Sequence, residues 1–247
     1  ELTGTGDTPY DQQPYYPAPP ALPTSVGPHV LYLDVWSREL SHLQQPDLIE
    51  KAVGVDTTER IQTVWQVKIL PDTGSGTTCA SDLSSLLLVA KIRPSASRLT
   101  TDAVSITSPT DPCQVPSKSG YKGLENQLYR VEIHQDSAGT NRPSFKWSRD
   151  NATVATLVTH IIGADTLVVE SVGKDNVLRF NPLDWIEITD DWKELNGLPG
   201  EIHQIKDVQD ATLTITLTEG TLGTINKQHI HICLSTPATG AVHGGGM

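Results

Sequence analysis

The chain has 247 residues, enough to bury a full core as one large β domain or as two smaller units. Its 18 Lys and Arg stand against 29 Asp and Glu, a net charge of -11 that repels a phosphate backbone and excludes nucleic acid as an expected partner. No run of apolar residues is long enough to span a bilayer, so membrane insertion is not expected either.

Residues 1–27 are rich in Pro and Tyr, as in "DQQPYYPAPPALP". Proline removes backbone donors and favours extended geometry, which predicts an arm lying on a neighbour, with Tyr10, Tyr15 and Tyr16 as its interface anchors. The opening "ELTGTGDT" lacks Met and a leader-like pattern, from which a processed product or a fragment is expected.

β patterning begins at His29. "HVLYLDVWSR" alternates, with Val30, Tyr32, Asp34 and Trp36 on one side and Leu31, Leu33 and Val35 on the other; "RIQTVWQVKIL" at 60–70 repeats the habit. "QQPDLIEKAVG" between them suits a helical turn or two starting after Pro46. Further strands are predicted over 84–92, 99–106, 127–135, 143–149, 153–161, 165–172, 184–189, 201–208, 211–218 and 229–235, separated by Gly, Pro, Asn or Asp. Short, even spacing of this kind belongs to an all-β chain of antiparallel sandwich or barrel type, not to βαβ units. The organisation read from it is an extended arm (1–27), a β-sandwich-like domain (28–150), a small β-barrel-like domain (151–236) and a flexible Gly-rich tail (237–247). Cys79 and Cys113 both sit in turn-rich text, and a disulfide between them would close about 34 residues and stabilise by roughly 3 to 4 kcal/mol. Such a bridge implies an oxidising location. Cys233 reads as a buried strand residue.

Three clusters raise the question of chemistry. In "LYRVEIHQDSAGTNRPSFKWSRDNAT", residues 128–153, Arg130, Glu132 and His134 share one strand face and Tyr129, Val131 and Ile133 the other. With Lys146, Trp147, Arg149 and Asp150 they are expected to form a structural hairpin with a cross-strand ion ladder, Tyr129, Val131, Ile133, Phe145 and Trp147 turned inward. An acid–base or metal role for Glu132 and His134 lacks the other parts of a reaction centre. The second cluster is "HIH", where His229 and His231 flank Ile230; with His134 or His203 they are weak candidate metal ligands, and no metal or other cofactor is expected. The third, Asp184, Glu187, Asp190, Asp191 and Glu194, lacks the order of a calcium loop and reads as a solvated hairpin end. No nucleophile or phosphate-binding motif is present.

The motifs "YLDVWSRE", "ENQLYRVEIH" and "KWSRDN", within about residues 29 to 235, resemble an uncharacterised bacterial domain family of unknown function. Its longer members often lie beside phage-tail-like or contractile-injection genes. The resemblance implies a structural role and supplies no catalytic residues. The expectation is a non-enzymatic assembly protein of an extracellular or phage-tail-like particle, fibre or filament, whose partners are copies of itself or other subunits. The alternatives are a carbohydrate-binding adhesion module using exposed Trp and Tyr, and a metal-dependent hydrolase.

Overall fold

The structure, a computed structural model, describes residues 7–52, 55–58, 60–71, 73–78, 80–82, 113, 128–135, 144–219, 222 and 230–239. It is built almost wholly of antiparallel strands, as the spacing of turn residues predicts. The expected strands 84–92 and 99–106, Cys79 and His229 lie outside the described residues. No disulfide is found among the described residues, and Cys113 is an exposed turn residue. No described helix is long and apolar enough to cross a membrane.

Strand β1 (Val30–Leu40) leads through two short paired strands, β2 (Ile49–Glu50) and β3 (Val55–Asp56), into β4 (Arg60–Leu70). β1 and β4 pair along their whole length, Val30 opposite Leu70 and Leu40 opposite Arg60. The predicted turn after Pro46 is a single 3-10 turn, Pro46–Leu48. Alternation gives the ribbon two faces. Asp34, Trp36, Val64 and Gln66 turn toward the body, where the fully buried Gln66 donates to the Leu195 carbonyl at 2.7 Å. Leu31, Leu33 and Val35 turn out to solvent, 67%, 61% and 52% exposed.

The N-terminal arm folds back onto its own ribbon. Gln13 donates Nε2–H to the Val67 carbonyl at 3.0 Å, and the Val67 N–H donates to Gln13 Oε1 at 2.6 Å. One primary amide thus satisfies both backbone groups of an edge residue, as a neighbouring strand would. Tyr16 is buried, Tyr15 meets Trp65 edge-on at 6.2 Å, and Tyr10 meets Tyr16 edge-on at 6.5 Å. Where the arm was expected to lie on a neighbour, its tyrosines pack within the chain, along an edge of β4 that no described strand takes.

A closed six-stranded barrel is formed by β7 (Ala155–Ile162), β8 (Thr166–Val169), β9 (Trp185–Thr189), β10 (Glu201–Gln209), β11 (Thr214–Leu217) and β12 (His231–Leu234). Closure leaves no free sheet edge. The barrel is filled by Leu167, Val169, Ile186, Ile188, Ile205, Ile215, Leu217 and Ile232, the inward members of alternating strands such as "TLVV" and "TITL", with Phe180 from the connection between β8 and β9. Between β9 and β10 runs α1 (Asp191–Leu195), capped by the Asp190 carboxylate, which accepts from the Lys193 N–H at 2.7 Å. The acidic run is therefore not a solvated hairpin end. Asp190 is fully buried as a helix cap, and Glu187 is 5% exposed on the outer wall of the barrel.

A second sheet, in the order β13 (Thr236–Thr239), β6 (Ser144–Arg149), β5 (Tyr129–Gln135), stands beside this wall. Residues 237–239, expected as tail, are strand instead: the chain leaves β12 and adds Thr236–Thr239 to β6, Thr236 opposite Trp147.

Candidate functional site

The barrel wall, β1 and the β5–β6 hairpin enclose a cleft of about 550 Å³. Each wall contributes through alternation. Ile186, Ile188 and Ile232 point into the barrel, so Glu187, Thr189, His231 and Cys233 point out into the cleft. From β5 and β6 come Arg130, Glu132 and Lys146, and from the ribbon side Trp36, Arg38 and Glu39.

The expected inward and outward faces of β5 are reversed. Tyr129, Val131 and Ile133 are 52%, 41% and 51% exposed, while Arg130, Glu132 and His134 turn toward the barrel. The physical reason is Glu187, far along the chain but directly across the cleft. A nearly buried carboxylate demands a cation, and Lys146 supplies it through a close charge-assisted hydrogen bond. Lys146 is also 3.3 Å from Glu132, which accepts from Arg130 at 2.6 Å, and Arg130 reaches Glu39 of β1 at 3.8 Å. Of the cross-strand ion ladder expected between β5 and β6, the structure contains Glu132 with Lys146, opposite one another in register, within a longer chain of charges. Phe145 and Trp147 are half-buried on the outer face, where Trp147 meets Tyr129 at 5.9 Å. Arg149 is exposed at the end of β6, and Asp150 begins a 3-10 turn.

Gly200 closes the Glu187 side. Its N–H donates to Glu187 Oε1 at 3.1 Å, and a Cβ there would lie 2.5 Å from Glu187 Cγ and 2.8 Å from the Ile188 carbonyl. Only glycine allows that approach. At the other end His231 Nε2 lies 3.1 Å from Glu194 Oε1, and Arg38 lies 3.5 Å from the second oxygen.

These contacts fix the protonation chemistry. Burial would raise the Glu132 carboxyl, but Lys146 and Arg130 outweigh it and hold it below the usual range. Burial would likewise raise Glu194, and His231 and Arg38 hold it low. Lys146 is held above its ordinary value, since Glu187 and Glu132 outweigh its desolvation. Burial, then the Glu187 charge, pushes the Cys233 thiol up to about 11. Near neutral pH the two glutamates stay ionised, the lysine stays charged and the thiol stays protonated, none poised for proton transfer or attack. His134 is pushed down by burial, opposed by Glu187 and reinforced by Lys146; its Nδ1 stands 3.9 Å from Glu187, beyond hydrogen-bond reach.

The histidine candidates do not converge. His134 faces Glu187, His231 faces Glu194, and His203 lies 3.6 Å from Glu201. No group of three or more His, Cys, Asp or Glu that could hold a metal ion occurs among the described residues. Sequence reasoning missed Arg38, Glu194 and Gly200 as parts of this cleft. No local signal marks these three, since each reaches the cleft only once distant elements have packed.

Fold and site together define an all-β protein, a closed barrel whose outer wall is bolted by ion pairs to a second sheet. Residues 18–93 and 75–222 match the Family of unknown function (DUF6519), and the chain belongs to that family. Comparison with curated proteins and with solved structures gave no match.

Proposed function

We propose that the chain is a non-enzymatic structural protein of an extracellular or phage-tail-like particle, fibre or filament, and that it acts by packing against copies of itself or other subunits. The observation that carries this reading is the outer face of the β1–β4 ribbon. There Leu31, Leu33 and Val35 stand opposite Ile69, Val67 and Trp65, an apolar patch running over two strands with Ile61 exposed beyond it. Contiguous exposed apolar surface on an acidic chain marks an interaction site. The cleft supports the same reading, since its charges are spent on one another and hold the sheet to the barrel. The phage-tail-like setting rests on the resemblance of "YLDVWSRE", "ENQLYRVEIH" and "KWSRDN" to family members beside such genes. Sedimentation velocity tests the reading: Leu31→Lys/Leu33→Lys should shift the protein to smaller species with the same thermal midpoint, and an unchanged distribution overturns it.

A second reading, glycan binding, is favoured by the polar character of the cleft and by Trp36 in its wall. Against it, none of the five tryptophans is fully exposed, and Lys68 covers the Trp36 ring at 5.4 Å. A glycan array on the full chain decides it: ligands lost in Trp36→Ala support it, and a blank array removes it.

A further inference from the structure

Among the described residues β1 pairs with β4 only, and no described strand takes its other edge. The direction of the groups on that edge follows from Gln13. Val67 bonds this side chain through both its N–H and its C=O, so both point away from β1. Opposite residues of an antiparallel pair either exchange bonds or both point outward. Leu33 lies opposite Val67; hence Leu33, and with it Leu31 and Val35, directs its backbone groups to that other edge. The same three residues carry the exposed apolar side chains. β4 has its outer edge closed by Gln13, whereas β1 has no such cap among the described residues.

We infer that this edge is completed by β1 of a second copy of the chain, antiparallel about a two-fold axis at Leu33, giving a four-stranded sheet β4–β1–β1–β4. This deepens the assembly reading and rests on it. The sequence of β1 suits its own reversal. In this register Leu33 meets Leu33, Leu31 meets Val35, and Tyr32 meets Asp34, so every pair on the outer face is apolar and no like charges stand opposite. Centring on Asp34 would set two carboxylates against each other; centring on Tyr32 would leave Val35 opposite His29. Asp34 is bound inward to Lys68 at 2.7 Å, which keeps its charge off the seam. For a chain of net charge -11, a stretch of strand whose one charge is already paired is where two copies approach with least repulsion. A two-fold contact of this kind uses the same patch on both subunits.

The test is cysteine cross-linking of the full chain in a Cys79→Ser/Cys113→Ser background. Leu33→Cys should give a disulfide-linked dimer in most of the protein, since directly opposite bonded residues have Cα atoms about 5.5 Å apart, within the span a disulfide bridges. Leu31→Cys alone should not cross-link, because its symmetry mate would sit about 14 Å away along the strand. A mixture of Leu31→Cys and Val35→Cys chains should cross-link to each other. If Leu31→Cys links to itself as readily as Leu33→Cys, the contact is collisional and the pairing is wrong. If Leu33→Cys fails to link while light scattering shows the protein multimeric, another surface mediates assembly: the pairing falls and the assembly reading stands. A monomeric protein with no cross-link removes both.

Discussion

Lys146 of the second sheet is bound to Glu187 on the outer wall of the barrel, the lysine side chain 14% exposed and the carboxylate side chain 6%. This contact ties together two sheets that share no strand pairing with each other. It also explains why β5 turns its charged face inward.

The pair has a stability signature of its own. Lys146→Met leaves the Glu187 carboxylate without its cation and should cost about 3 to 5 kcal/mol in chemical denaturation, whereas Glu187→Gln leaves Lys146 its Glu132 contact and should cost less. The double change Lys146→Met/Glu187→Leu should recover most of that loss, since neither charge is then stranded. Additive losses would show that the two residues act separately.

Gln13→Ala removes both hydrogen bonds to Val67 and opens the β4 edge. The expected cost is about 1 to 2 kcal/mol. Hydrogen exchange should show faster exchange of the Val67 amide, while the Gln66 amide, directed toward β1, keeps its protection. Equal exchange in both forms would mean that the arm does not close this edge.

Stability should depend on pH in two stages on the acid side. The His134 imidazole is depressed below its ordinary 6.5, by burial first. It binds a proton more readily unfolded, so stability falls as pH drops below that value. Glu132 and Glu194 are held below their ordinary 4.5; their contribution is full above that value and is lost as pH falls through their folded-state values. Lys146 is raised above 10.5, and its contribution is lost only as pH rises beyond that. The Cys233 thiol, pushed up from its ordinary 9.0 to about 11 by burial first and then by Glu187, ionises more readily unfolded, so stability is also lost as pH rises past 9, and thermal midpoints should be level only between about pH 7 and 9. In His134→Gln the first acid stage should vanish and the second remain.

Much of the strand order was legible because alternation and turn residues are local signals. "RIQTVWQVKIL" was bounded at 60 and 70, as observed, and the barrel strands follow their Gly-, Asn- and Asp-marked turns closely. What alternation cannot say is which of two faces is inward. For β5 an apolar face and a charged face were equally periodic, and the apolar one was turned to the core on hydrophobicity alone. The deciding partner, Glu187, is remote in sequence, and nothing in "WIEIT" reveals that another sheet will cover it. For the same reason the arm was assigned to a neighbour: the edge that Gln13 caps exists only once β1 and β4 have paired. Residues 237–239 read as tail because their pattern carries no burial signal; it is backbone pairing to β6 that makes them part of a strand.

The central claim is that the chain works by packing against other subunits. Native mass measurement of the full chain across the micromolar range, with the same samples viewed by electron microscopy, tests it most directly. The account predicts even-numbered multimers that grow with concentration and collapse in Leu31→Lys/Leu33→Lys. A single monomeric mass at every concentration, unchanged by those substitutions, would contradict it.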